Sequence, residues 1–201
     1  MTNQIKEVVN YDLEDKFQLE DLKQRKLYIN FDIDETLLSE ITYHILRFNT
    51  EDKGKATSDR EPILLYCVSN GGSLTDGFGL IDIMLNSKTP IYTVNLAYQY
   101  SMGFLIGLAG SKRYATNNAT YLLHDGTNFM YNSSAKLKDA AKFQEQQENK
   151  IKEYILSRSK LTSEEYEQKY RVEWYMYASE AKDKGFTDFI IGEDCTIDDI
   201  I

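Results

Sequence analysis

Cysteine, proline, histidine and tryptophan are all scarce in this 201-residue chain, with two, two, two and one copies respectively. Cys67 and Cys195 are too few for a disulfide framework and fit a reducing compartment. The two prolines, Pro62 and Pro90, each stand just before an apolar run that reads as a strand. No apolar run approaches the roughly 20 residues a membrane span needs. The first 21 residues are polar and charged and hold no apolar segment of the secretory kind, so a cytoplasmic location is expected. There is no Lys/Arg cluster, and the net charge is −9. That balance argues against partners such as nucleic acid or an anionic membrane. What remains is ordinary for a folded domain: 42% hydrophobic and 27% charged residues. Tyrosine is plentiful, at fifteen copies.

Along the chain, apolar runs alternate with amphipathic or mixed segments. Residues 12–25 read as a short helix and Lys26–Phe31 as a strand. Leu37, Leu38, Ile41, Ile45, Leu46 and Phe48 fall at near-helical spacing over residues 35–48. Residues 49–61 are polar and read as an exposed loop. Ile63–Val68 is a continuous apolar strand of the kind buried in a parallel sheet, and it ends at Ser69-Asn70-Gly71-Gly72. A helix over 77–85, a strand over 91–96, a helix over 101–109, short strands at 114–115 and 121–124, and a long charged helix over 135–158 follow. A helix start near Ser163 and Glu164, a short helix over 179–184 and a strand over 189–191 complete the pattern. Such alternation predicts an α/β fold, and with no visible linker or repeat, one domain over residues 1–201.

Ser101 carries the functional signal. It lies in Tyr100-Ser101-Met102-Gly103, 29 residues after Gly72. A nucleophilic serine needs a tight turn that exposes its hydroxyl and backbone N–H donors aimed at a developing oxyanion. Gly71-Gly72 could supply one donor and Met102 another. His124 follows Tyr121-Leu122-Leu123, a strand that delivers an imidazole at its end. Each piece also has a plainer reading. A serine at a helix start is usually a cap, and two glycines mark many turns. His44, on the amphipathic helix, reads as a structural or surface residue. The long charged helix is by default a solvated face.

Taken together, these residues resemble the proteolytic subunit of the Clp protease, within the ClpP/crotonase superfamily. The resemblance runs from about residue 26 to about 188. It rests on Gly71-Gly72-Ser73 with Gly77, Ser101-Met102-Gly103, His124, and Tyr177-Ala178-Ser179-Glu180-Ala181 followed by Gly185. It implies a fold of repeated strand-strand-helix units with a protruding handle helix, the handle region falling at about 132–170 and an N-terminal segment at about 1–25. By that resemblance Ser101 is the nucleophile and His124 its base. Gly72 and Met102 form the oxyanion hole, and Gly71 and Ser73 lie along the substrate. The family's acid is an aspartate 12 residues before the glycine matched by Gly185, and the count arrives at Glu173. A glutamate can also orient and stabilise an imidazolium; Glu173 also reads as a solvated carboxylate. No cofactor or metal is implied. The implied partners are unfolded polypeptide substrates, further copies in stacked heptameric rings (a tetradecamer), and an AAA+ unfoldase.

The chain departs from the family's pattern in several places. Tyr98-Gln99-Tyr100 replaces small residues before the serine, and Asn70 and Asp125-Gly126 stand where prolines are usual. The 49–61 loop is longer. Of two aromatic positions in the family's hydrophobic surface pocket, Leu64 and Tyr66, only Tyr66 is aromatic. These changes keep a second reading open, a ClpP-like scaffold subunit that assembles but cleaves poorly. A third comes from Asp32-Ile33-Asp34-Glu35-Thr36, which resembles the first motif of haloacid dehalogenase-type phosphatases, Mg2+-dependent enzymes with an aspartate nucleophile. Gly192-Glu193-Asp194 with Asp198-Asp199 mimics that family's acidic metal motif. This reading leaves Gly71-Gly72, Ser101 and His124 unexplained, and a short match of common residue types has a high false-positive rate.

Overall fold

The computed structural model describes residues 13–126 and 134–200. The first 12 residues of the N-terminal segment and the start of the handle region, at 132–133, lie outside these.

Helix α1 (Leu13–Lys23) leads into β1 (Lys26–Ile29). A π-helical turn (Leu38–Thr42) runs straight into α2 (Tyr43–Glu51), and β2 (Ile63–Cys67) follows. Then come α3 (Leu74–Asn86), β3 (Ile91–Asn95), β4 (Tyr98–Tyr100), α4 (Met102–Leu108), β5 (Lys112–Thr116) and β6 (Thr120–Leu123). The chain closes with α5 (Ser134–Arg158), α6 (Ser163–Lys169), β7 (Trp174–Tyr177), α7 (Ala178–Asp183) and β8 (Phe189–Ile191). The architecture is α/β of the ClpP/crotonase type.

Two sheets divide the strands. The larger is wholly parallel, in the order β1-β2-β3-β5-β8; the smaller has the order β4-β6-β7. Leu27, Ile29, Ile63, Leu65, Cys67, Ala115 and Ile190 face the main core, where α2, α3 and α4 cover them. Both faces of β2 are buried, which is why its sequence is a continuous apolar run. On the other face a single register row crosses all five strands: Tyr28, Tyr66, Val94, Tyr114 and Phe189. Tyr28 stacks on Tyr66 at 5.0 Å, Tyr114 stacks on Phe189 at 5.1 Å, and Ile200 seals part of this face.

The repeat is legible in the topology. Each unit gives one strand to the large sheet, a second segment to the small sheet, and then a helix. β3–β4–α4 and β5–β6–α5 are complete examples. In β2–α3 the second segment is short, with Ser69 bridged in parallel to Gln99 of β4. Strand β4 had no sequence signal: Tyr98-Gln99-Tyr100 is too short to show an alternation. Neither did β7.

Two further expectations are corrected. The exposed loop at 49–61 is tied down: α2 runs to Glu51, and Asp52 is fully buried in a paired interaction with Arg25. Lys55 and the Thr89 hydroxyl also donate to Asp52, and these bonds offset the cost of burying a charge. The helix expected over 77–85 starts at Leu74, because the Ser73 hydroxyl accepts from the Asp76 N–H and caps it. The helix start expected near Ser163 and Glu164 is α6, capped by the Thr162 hydroxyl.

The long helix α5 behaves as two halves. Residues 136–143 are largely exposed, with Phe143 60% accessible. The C-terminal half is anchored: the Tyr154 hydroxyl donates to Leu105 O at 2.9 Å, and Arg158 donates to the carbonyls of Leu108, Ala109 and Gly110. Those carbonyls end α4, where the helix dipole favours a cation.

Candidate active site

The turns that end the second segment of three successive units meet at one end of the small sheet. The first is Gly71-Gly72 before α3, the second Ser101 before α4, the third His124 after β6. Register fixes this placement. Tyr100 pairs with Leu122 in parallel, and the Ser101 N–H donates to Leu122 O at 3.0 Å. Strand β7 is antiparallel to β6 with Leu123 opposite Trp174, so Glu173 falls opposite His124.

Ser101 is the strained residue of the site. Its φ is 52° and ψ −120°, a region that side-chain-bearing residues rarely adopt. It makes no side-chain cap to α4, which starts at Met102, so the ordinary cap reading of this serine does not hold. The Ser101 hydroxyl, at the sharp turn from β4 into α4, has no hydrogen-bond partner among the described residues. Gly71 makes the turn possible. A Cβ there would lie 2.7 Å from Ser101 Cβ and 2.9 Å from the Met102 nitrogen, and its φ is +102°.

The glycine turn is itself held from two sides. The Gly71 N–H donates to Ser69 Oγ (3.1 Å), and Gly71 O accepts from the Ile33 N–H (2.8 Å). The Ser73 N–H donates to Ile33 O (2.7 Å). The N–H groups of Gly72 and Met102, the two expected oxyanion donors, are unpartnered among the described residues. Ser73 is engaged as the α3 cap. Ser69 was not singled out from the sequence, since a serine in a turn carries no signal. It is buried, and its hydroxyl also donates to Phe31 O at 2.7 Å.

Nδ1 of His124 lies 3.0 Å from Glu173 Oε1. A carboxylate only accepts, so Nδ1 carries the proton and Nε2 keeps its lone pair in the neutral ring. Hydrogen bonding to His124, reinforced by Tyr175, holds the Glu173 carboxyl below its usual range, so it is ionised near neutrality. The His124 ring is 22% exposed and the Glu173 side chain 60%. Ser101 and His124 are not hydrogen-bonded to each other in this structure; apo catalytic hydrogen bonds are often long.

The remaining titratable candidates lie elsewhere. Burial pushes the Cys67 thiol up to about 12, so it is inert as a nucleophile. His44 is half-buried on α2, its pKa lowered by desolvation, and its ring meets Tyr43 edge-on. Asp32 and Asp34 line a cavity of about 720 Å3 with Glu40 and His44. The Asp34 carboxylate is taken up by the Thr36 N–H and hydroxyl at 2.9 and 2.7 Å. Asp194 pairs with Lys182 and Asp199 caps the turn at Thr196. The two halves of the phosphatase motif never meet: Asp32 follows β1 and Asp194 follows β8, on opposite edges of a five-stranded sheet. At about 4.8 Å per strand the edges are roughly 19 Å apart. No group of His, Cys, Asp or Glu among the described residues could hold a metal ion. The phosphatase reading has no support.

The Clp protease family model matches residues 12–194. The chain belongs to the Clp protease family. It is 31% identical over 172 residues to ATP-dependent Clp protease proteolytic subunit 2 of Tropheryma whipplei (strain Twist), covering 84% of this chain and 92% of that one. It is 28% identical over 172 residues to proteolytic subunit 1 of Shouchella clausii (strain KSM-K16), covering 85% and 86%. These Clp relatives support a ClpP-like protease, at the modest identity of a divergent member.

Proposed function

We propose that this Clp family member is a serine endopeptidase that cleaves unfolded polypeptides through an acyl-enzyme intermediate. Ser101 Oγ attacks the peptide carbonyl. His124 Nε2 takes its proton and later gives it to the leaving amine, while Glu173 orients the ring and balances the imidazolium. The N–H groups of Gly72 and Met102 receive the oxyanion, and Gly71 and Ser73 border the substrate. The observation that carries this reading is the convergence of a strained Ser101, its hydroxyl without a hydrogen-bond partner among the described residues, with the His124–Glu173 pair at one sheet end.

In this reading residues 1–201 form one cytoplasmic peptidase domain that works inside a chamber of stacked heptameric rings. The α5–α6 region, at about 132–170, is the handle between rings, and a Clp ATPase of the AAA+ class feeds the chamber. No helix of the described residues is long and apolar enough to cross a membrane. The test is labelling by a fluorophosphonate, mapped by mass spectrometry, with Ser101→Ala as control. Labelling at Ser101 that vanishes in the control supports the peptidase. An assembled preparation that does not label supports the scaffold reading, and a monomer in sedimentation counts against the chamber.

A further inference from the structure

One buried hydroxyl ties the glycine turn to the strand of the nucleophile. Ser69 is 1% exposed. Its Oγ donates to Phe31 O at 2.7 Å and accepts from the Gly71 N–H at 3.1 Å, so its proton and a lone pair are both engaged. Its backbone is bound to β4 at the same time. The Ser69 N–H donates to Tyr98 O at 3.3 Å, and Ser69 O accepts from the Tyr100 N–H at 2.9 Å, immediately before Ser101. Gly103 allows this close approach, since a Cβ there would lie 2.9 Å from Ser69 O and 3.1 Å from Ser69 Cβ. Ser69 thus touches the 31–33 segment, the glycine turn and both flanks of the Ser101 turn.

The aim of one oxyanion donor follows from these bonds. A trans peptide is planar, with its C=O and N–H pointing in opposite directions, and no cis peptide is present among the described residues. Gly71 O accepts from the Ile33 N–H, so the Gly72 N–H of the same peptide points away from Ile33. The extended segment 69–72 has two edges: Ile33 bridges Gly72 on one, and Gln99 of β4 bridges Ser69 on the other. Away from Ile33 is therefore toward the strand that carries Ser101. Two restraints on that peptide trace to the Ser69 hydroxyl. It holds the Gly71 N–H directly, and through Phe31 O it anchors the segment that presents the Ile33 N–H. The turn needs such restraint: Gly71 and Gly72 have φ of +102° and +145°, and glycine has the most backbone freedom to lose. Asn70, between Ser69 and Gly71, imposes no fixed φ of the kind a proline would.

We propose that Ser69 is a positioning residue: its hydroxyl locks the Gly71–Gly72 peptide so that the Gly72 N–H faces the oxyanion formed at Ser101. This rests on the serine peptidase reading. Ser69 touches neither substrate nor reacting atoms; it acts through the peptide it holds.

The test compares two buried hydroxyls in the full-length assembled protein. Ser69→Ala removes the one on the glycine turn. Thr93→Val removes one in the large sheet, which donates to Gly107 O at 2.6 Å. Ser69→Ala should lower kcat for an unfolded polypeptide about 10- to 100-fold, less than the loss of a whole oxyanion donor, and leave KM within about twofold. The pH midpoint of the kcat/KM profile, set by the His124 imidazole, should not move. Thr93→Val should leave kcat within about twofold. Equal losses of kcat in both variants would assign the effect to stability and overturn the proposal. A Ser69→Ala loss confined to KM, a moved pH midpoint, or no loss at all would overturn it too. Ser69→Cys, similar in shape but a weak donor and acceptor, covers a folding failure of Ser69→Ala; it should also lose kcat, and wild-type turnover in it sinks the proposal. A readout independent of turnover is amide hydrogen exchange over residues 69–73, followed by mass spectrometry. Exchange there should quicken in Ser69→Ala and stay at the wild-type rate in Thr93→Val. Unchanged exchange in Ser69→Ala removes the positioning role even if Ser101 labels with a fluorophosphonate. Failure of wild-type Ser101 to label removes the peptidase reading, while exchange still decides whether the hydroxyl holds the turn.

Discussion

The two sheets of this molecule differ in what holds them and in what they do. The five-stranded sheet is parallel, covered on one face by three helices and crossed on the other by an aromatic row. Its second strand, β2, is a continuous apolar run buried on both faces. The three-stranded sheet is short, carries tyrosines and threonine on its outer face, and ends in the turns that hold Ser101, His124 and Glu173. The first buries apolar area, and the second sets register. A repeated unit that sends one strand to each sheet therefore separates stability from chemistry. The strained and exposed groups sit at the end of a frame that the larger sheet keeps rigid.

That separation is open to test. Ser101→Ala should lower peptide hydrolysis by a factor on the order of 10^4–10^6 while leaving the unfolding free energy from urea titration within about 0.5 kcal/mol of the wild type; a large loss of both would erase the distinction between the sheets. Glu173→Ala should cost the rate roughly 10^2–10^4-fold, whereas His44→Ala should change it by less than about twofold; steady-state rates that fall equally and slightly for both would remove Glu173 from the site. Leu65→Ala, in the fully buried centre of the large sheet, should take about 2–5 kcal/mol from the unfolding free energy and leave the rate of the remaining folded protein near normal.

Asp52 provides a pH version of the same comparison. Hydrogen bonding from Arg25, then from Lys55 and Thr89, holds its carboxyl well below the usual carboxylate range. The folded pKa lies below the unfolded one, so the stability this group adds is complete above the unfolded value of about 4. That stability is lost as pH falls toward the folded value. Asp52→Asn, which leaves Arg25 buried without its partner, should destabilise by about 3 kcal/mol near neutrality. Denaturation curves should show the deficit shrinking below about pH 4. A deficit that stays constant down to acid pH would mean that the carboxylate's charge is not what matters there.

Much of the large sheet was legible. Ile63–Val68 read as a strand because burial on both faces demands a continuous apolar run, Ile91–Leu96 read as another, and the structure places β2 and β3 there. The small sheet was half hidden. β4 and β7 are three and four residues long, too short for a period to show, and they are strands only because β6 lies between them. The π-turn before α2 and the buried state of Asp52 were likewise invisible. The burial of Asp52 depends on partners far along the chain, such as Arg25 and Thr89, 27 and 37 residues away.

By itself, then, the sequence determined the α/β class, the order of most elements and the identity of the residues with chemical potential, because apolar periodicity and glycine-serine turns are local properties. Tertiary structure alone decided that Ser101 takes a strained φ rather than a helix cap, that Gly71 packs on its Cβ, and that Glu173 arrives opposite His124. It also kept the two halves of the acidic motif on opposite sheet edges. Each of these depends on which strands become neighbours, and pairing between distant segments leaves no mark in the local pattern of either one.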